Sequence, residues 1–168
     1  MSPVSSPSSL RTDLFIVEGI TPDQGALLAG QIHAHDAREV FAVSSHTSIE
    51  KALREAVSGS TRVWAAYDNG GNVPIAVFGV APPSLLSGFA APWLLRRADA
   101  SLYGRAYVRL SRWYRDQMLS DYPILTNWCG AWNKDSIRGL RGRGAKGDEP
   151  LPVGLHGEWR QRFTISRG

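Results

Sequence analysis

The sequence predicts a single α/β (α+β) domain in which a mixed sheet is covered by helices. Three observations carry this. The apolar, aromatic run 125–132 leads directly into Asn133-Lys134-Asp135, a buried strand feeding a helix start. Two apolar stretches, 62–67 and 73–80, flank Asp68-Asn69-Gly70-Gly71-Asn72, whose residues supply the positive φ of a tight hairpin turn. Residues 100–122 carry Tyr103, Tyr107, Leu110, Tyr114 and Met118 at helical spacing, the pattern of a long helix with one apolar face. At 168 residues, the chain is long enough to bury one self-sufficient core.

Residues 1–12, rich in Ser and Pro, read as a flexible tail, with one domain over 13–168. Leu14-Phe15-Ile16-Val17 is a strand. Thr21-Pro22-Asp23-Gln24 opens a helix, with Thr21 as cap, Pro at the first helical position and Gln three residues beyond the cap. That helix is expected to run through Leu27, Leu28 and Ile32, with a second piece from Asp36 carrying Val40 and Phe41. Thr47-Ser48-Ile49-Glu50 is a further capping box. Ile49, Ala52, Leu53, Ala56 and Val57 then mark one helical face, and Glu50 lies four residues before Arg54.

After the hairpin, Pro82-Pro83 closes the second strand. Residues 89–95 form another strand, in which Pro92 marks a bulge or an edge. Pro123 ends the long helix. Ser136 to Arg141 is a short helix, 148–152 an exposed link, and 155–158 with 159–165 a terminal strand pair around His156-Gly157.

The bulk numbers exclude several function classes. The one cysteine, Cys129, forms no internal disulfide and reads as a small buried hydrophobe. The start has no basic region followed by an apolar one, so no secretory signal is expected. No apolar run is long enough to span a bilayer, so no membrane partner is expected. His33-x-His35 has no accompanying Cys or carboxylate cluster, so no metal is assigned. The formal charge of +4 is compatible with an acidic partner without requiring one. The six tryptophans read first as packing residues, and Arg105, Arg109 and Arg112 as a solvated face.

The motif Asn133-Lys134-Asp135-Ser136-Ile137-Arg138-Gly139-Leu140, followed by Gly144, resembles the C-terminal half of GNAT N-acetyltransferases. Their pattern there is Asn-x-x-Ala-x-x-x-Tyr, then Gly and an aromatic residue. The pieces HDAREVFAVSSHTSIEKAL, PIAVFGVAP, APWLL and NWCGAWNKDSIRGL are similar to a family of short-tailed-phage proteins. Those are named as internal virion proteins or as GNAT-type acetyltransferases. The resemblance covers roughly residues 12–165. It implies a mixed, mostly antiparallel sheet flanked by helices, with acetyl-CoA between two central parallel strands. It places the cofactor contacts at Leu94, Leu95, Arg96, Arg97, Ser101 and Asn133. Asn133 serves equally as a helix cap.

Two departures from the family pattern bear on activity. The pyrophosphate loop of the family is Gln/Arg-x-x-Gly-x-Gly/Ala, and residues 94–101 hold no glycine. Leu140 stands where the family's proton-donating Tyr stands, leaving Tyr103 or Tyr107 as spatial substitutes. No catalytic residue is assigned. His33, His35, His46, Glu18 and Asp68 are the groups considered for a base.

The reading that follows is a bacteriophage virion-associated or assembly protein, in the particle or the host cytoplasm, with other virion proteins as partners and a degenerate acetyl-CoA site. The alternative is an active N-acetyltransferase acting on a host protein or small amine. A third reading is a nucleic-acid module pairing Arg138, Arg141 and Arg143 with Trp128 and Trp132.

Overall fold

The computed structural model describes residues 4–5, 14–43, 48–153 and 156–167. The strands are β1 (Val4–Ser5), β2 (Leu14–Glu18), β3 (Arg62–Asp68), β4 (Ala76–Ala81), β5 (Phe89–Arg96), β6 (Ile124–Gly130), β7 (Lys146–Gly147), β8 (Leu151–Val153) and β9 (Glu158–Ser166). The helices are α1 (Pro22–Ala29), α2 (Ala34–Val43), α3 (Ile49–Ser58), α4 (Gly104–Asp121) and α5 (Lys134–Gly142).

β1 to β5 run antiparallel in chain order, and β6, β9 and β7 continue the sheet antiparallel, with β8 also on β9. The one parallel junction among the described residues is β5 with β6. It holds for only two pairs, Phe89 with Ile124 and Ala90 with Leu125. Beyond those pairs the two strands diverge. The sheet is therefore mixed and mostly antiparallel, as expected.

Both faces are covered, which is why β3 and β4 read as unbroken apolar runs. On one face Trp64, Ala66, Phe78 and Val80 pack against Leu110, Tyr114 and Met118 of α4. On the other, Val63, Ala65, Tyr67 and Val77 meet Leu28 of α1 and Leu53 of α3. Gly79 has a specific reason: a Cβ there would collide with the Trp93 ring from the neighbouring strand. Trp93 is itself fixed by donating from Nε1 to Ser60 Oγ at 2.7 Å. Gly79→Val is expected to cost about 2 kcal/mol through the forced shift of that ring, measured as a lower denaturant midpoint with unchanged slope.

Several boundaries differ from the sequence expectation, each for a local reason. Val4 and Ser5, within the stretch expected to be a tail, pair with Ile16 and Phe15. The Thr21 capping box forms, with both Thr21 and Gln24 engaged. α1, however, stops at Gly30, and Ile32 instead bridges to Arg97. The cap of α3 is Ser48, whose Oγ accepts from Lys51 N at 3.3 Å; Thr47 lies outside the described residues. The Glu50–Arg54 pair is made, at 3.1 Å.

The long helix is broken. Ala100–Tyr103 is a 3-10 turn, and α4 begins only at Gly104, whose φ of 47° and ψ of −117° suit glycine alone. The terminal hairpin starts earlier than expected, because Leu151–Val153 pairs with Glu158–Arg160 while Gly157 turns at φ 62°. Leu155 lies outside the described residues. Among the described residues no helix is long and apolar enough to cross a membrane.

Candidate active site

The divergence of β5 from β6 opens a cleft of about 1100 Å³ through the sheet. Pro92 stands at its root, where β5 has no neighbour on the β6 side, so it marks an edge and not a bulge. The Arg97 N–H donates to Ile75 C=O, which sets the alternation along the β4–β5 ladder. Pro92, Leu94 and Arg96 therefore turn their backbone groups away from β4 and toward the cleft. The missing N–H of Pro92 faces a gap where no ladder partner exists, so the substitution is harmless. Its carbonyl accepts from Asn127 Nδ2 at 2.8 Å. Arg96 C=O accepts from His33 N at 2.8 Å, and Arg96 N donates to Asp36 Oδ2 at 2.7 Å. Between them, the N–H and C=O of Leu94 have no partner among the described residues. A short length of strand edge is left open.

The opposite wall is closed by side chains. Glu39 accepts from Gly130 N at 3.0 and 3.1 Å and from Asn133 Nδ2 at 3.3 Å. It also faces Arg160 Nη1 at 3.2 Å, an ion pair in which Arg160 is 3 % exposed. Asn133 caps α5, accepting from Ser136 N at 3.3 Å, and is buried on the cleft wall. Asp36 and Glu39 lie three residues apart on α2 and share its inward face. That spacing is the signal in the sequence that would have identified them.

The cleft brings together Leu94, Leu95, Arg96 and Asn133 and leaves out Arg97 and Ser101. Leu95 has its side chain in the core against α1 and α3. Arg96 is committed to Asp36 through two contacts of 2.8 and 3.1 Å. Arg97 binds Asp99, Val73 C=O and Tyr103 Oη. Both arginines thus have carboxylate partners within the fold.

The glycine expected in residues 94–101 lies just beyond them. Ser101-Leu102-Tyr103-Gly104-Arg105-Ala106 carries the Gly-x-Ala spacing, with Ser101 in place of Gln or Arg. Its glycine opens α4, where no side chain caps the helix. The Gly104 N–H donates to Ser101 C=O, and the positive end of the α4 dipole lies there. Gly104→Ala is expected to cost about 2 kcal/mol, because an L side chain is strained at these angles, read as a lower melting temperature.

The two candidate phenols separate. Tyr103 Oη donates to Asp68 Oδ2 at 2.7 Å, away from the cleft. Tyr107 lines the cleft, and its hydroxyl is buried with no hydrogen-bond partner. Burial pushes this phenol up to about 12, against the opposing pull of Arg96 and Arg143. It holds its proton throughout the physiological range. Leu140 lines the same cleft.

None of the groups considered for a base lines the cleft. Glu18 pairs with Arg62 at 3.1 Å, and Asp68 accepts a hydrogen bond from Tyr103 Oη. His33 Nδ1 accepts from His35 N, and burial followed by Arg96 lowers its pKa. His46 lies outside the described residues. The carboxylates in the cleft are Asp36, Glu39, Glu55 and Asp135. Among the described residues no three His, Cys, Asp or Glu groups are arranged to hold a metal. Trp132 is no free stacking platform, since Arg38 lies over its ring at 3.8 Å and His35 packs edge-on.

Cys129 is buried, and burial with Glu39 beside it pushes the thiol up to about 12. With Tyr107 and Tyr114 also raised by burial, the native chain keeps protons that the unfolded chain loses. Stability is therefore fully present below about pH 9 and falls as pH rises from there toward 12. Urea midpoints between pH 7 and 11 should show that decline.

No family model matches the chain, and no curated protein does. Solved structures do. A probable GNAT acetyltransferase from Chromobacterium violaceum superposes with a TM-score of 0.71 at 12% identity, over 96% of this chain and 85% of that one. The fold is that of the GNAT acetyltransferases. Two further neighbours share it. Spermidine N-acetyltransferase from Vibrio cholerae, in complex with CoA and spermine, gives 0.68 at 9% identity over 90% and 95% of the two chains. Aminoglycoside N(6')acetyltransferase from Legionella pneumophila gives 0.68 at 15% over 90% and 91%. At these identities the likeness shows the fold, and nothing in it supports a virion component.

Proposed function

We propose that this chain is an acetyl-CoA-dependent N-acetyltransferase acting on an amine, with a proton donor displaced from its usual helix. The observation that carries the reading is the open β5–β6 cleft, in which Leu94 offers unpartnered backbone groups and Tyr107 an unpartnered hydroxyl. Both features suit a thioester cofactor. An amide-bearing arm can extend the free strand edge, and its leaving sulfur needs a nearby proton.

Bound acetyl-CoA would supply the activated acetyl group. Leu94 N–H and C=O would hold the amide-bearing arm, and the start of α4 at Gly104 the phosphates. Asn133 would keep the far wall in place by capping α5. Tyr107 Oη, neutral and dry, would hold the proton needed by a developing thiolate. Asp36 would keep Arg96, and with it the end of β5, in position.

Thiol release from acetyl-CoA across a panel of amines tests this directly. Release above background with at least one amine is expected, and buried Cys129 should add little reagent background. Background rates with every amine tried would sink the reading.

A further inference from the structure

The α4–α5 wall of the cleft contains a cation that the fold leaves without a counter-ion. Arg143 follows α5, is partly buried and lines the cleft. Its Nε donates to Ser111 Oγ at 2.8 Å, and its carbonyl accepts from Arg115 Nη1 at 3.1 Å. No carboxylate pairs with it among the described residues. The carboxylates nearby are taken: Asp36 by Arg96 at 2.8 Å, Asp116 by Arg115 at 3.0 Å, and Asp135 by Arg138 at 3.9 Å. Burial lowers the pKa of Arg143; the Tyr107 phenol opposes that, and the cations Arg112, Arg96 and Arg115 add to it. The unpartnered Tyr107 hydroxyl belongs to the same neighbourhood.

The chain makes room for this arrangement. Gly139 sits inside α5, where glycine is a poor helix former. A Cβ at that position would come within 2.9 Å of Arg143 Nη1. The guanidinium therefore lies over the space a side chain would fill, one turn back along the helix. On the α4 side it meets the short Ser111. A partly buried guanidinium without an anion is unfavourable, and its planar fork matches a two-oxygen anion.

We propose that Arg143, seated over Gly139 and oriented by Ser111, is an oxyanion subsite of the cleft, taking a phosphate or a carboxylate of the acyl donor. The assignment of the anion to a donor rests on the acetyltransferase reading; the anion subsite itself does not. A phosphate would come from the cofactor, and a carboxylate from a dicarboxylic acyl group in place of acetyl.

The test is calorimetric titration of the full chain with acetyl-CoA, succinyl-CoA and S-acetyl-pantetheine, alongside thermal shift with inorganic phosphate. Wild type is compared with Arg143→Met and Gly139→Ala. Arg143→Met is expected to weaken binding about ten-fold or more, the usual effect of losing a charged hydrogen-bond partner. Gly139→Ala improves helix propensity, so it should displace the guanidinium and weaken binding without unfolding the chain. A loss confined to succinyl-CoA identifies a carboxylate. An equal loss for both CoA esters, absent with S-acetyl-pantetheine, identifies a cofactor phosphate. If wild type binds no CoA ester but gains thermal stability from phosphate, and Arg143→Met does not, the subsite stands and the acetyltransferase reading falls. Variants that bind every probe as wild type does would overturn the subsite. So would a wild type that responds to none of them.

Discussion

Tyr107→Phe is expected to lower kcat for acetyl transfer by about a hundred-fold or more, within the range a positioned proton donor contributes. The dissociation constant for acetyl-CoA should stay within about two-fold of wild type, because the ring keeps its place between the sheet and α4. Phe78 is tilted against it with ring centroids 6.3 Å apart, a contact that Phe retains. Rate and binding together decide the role. A fall in kcat at constant affinity identifies a group needed in the transition state. An unchanged kcat would remove Tyr107 from the chemistry, and a matching loss of affinity would make it a packing residue.

Asp36→Ala is expected to destabilise the fold by about 3–5 kcal/mol, the usual cost of breaking a buried ion pair from one side. Asp36 is 6 % exposed and meets Nε and Nη2 of the Arg96 guanidinium and the backbone N–H of that residue. Removing the carboxylate strands a cation and a backbone donor together. It also releases the end of β5 from α2, so the cleft should lose its shape along with the stability. Urea unfolding measures the first effect. Acetyl-CoA affinity of the remaining folded protein measures the second. A loss under about 1 kcal/mol would show that Arg96 finds water or another partner, and that the pair does not hold the strand end.

The parts of the fold legible in the sequence were those that depend on neighbours in the chain. Thr21 and Gln24 satisfy each other three residues apart, and Asp68 to Asn72 make a turn from local chemistry alone. The two faces of β3 and β4 followed from unbroken apolar runs. The break at Gly104 was not legible, because Ala100 to Tyr122 keeps helical spacing across it, and periodicity does not register a single positive φ. The same break displaced the stretch that carries the Gly-x-Ala spacing: with the helix read from Ala100, the glycine was sought between Leu94 and Ser101.

The misassigned site residues share a cause. Arg96 and Arg97 look available in the sequence because their partners are remote. Asp36 lies 60 residues away and Asp68 is brought in by the hairpin. Glu39 was overlooked for the same reason, since its partners Gly130, Asn133 and Arg160 come from β6, the α5 cap and β9. Arg143 read as one of several basic residues after α5. Only its hydrogen bond to Ser111 of α4 and its partial burial distinguish it from Arg138 and Arg141, which remain exposed.

Leu140 weakened the enzyme reading because spacing alone could not place its two substitutes, Tyr103 and Tyr107, relative to the cleft. Tyr107, seven residues after the broken start of the helix at Ala100, reaches the same cleft from α4 instead. The choice between a working enzyme and a reused scaffold rests on whether that cleft accepts the donor. Isothermal titration of acetyl-CoA into the full wild-type chain measures this most directly. One site per chain with a dissociation constant in the micromolar range is the expected result. No heat of binding at millimolar acetyl-CoA would contradict the account.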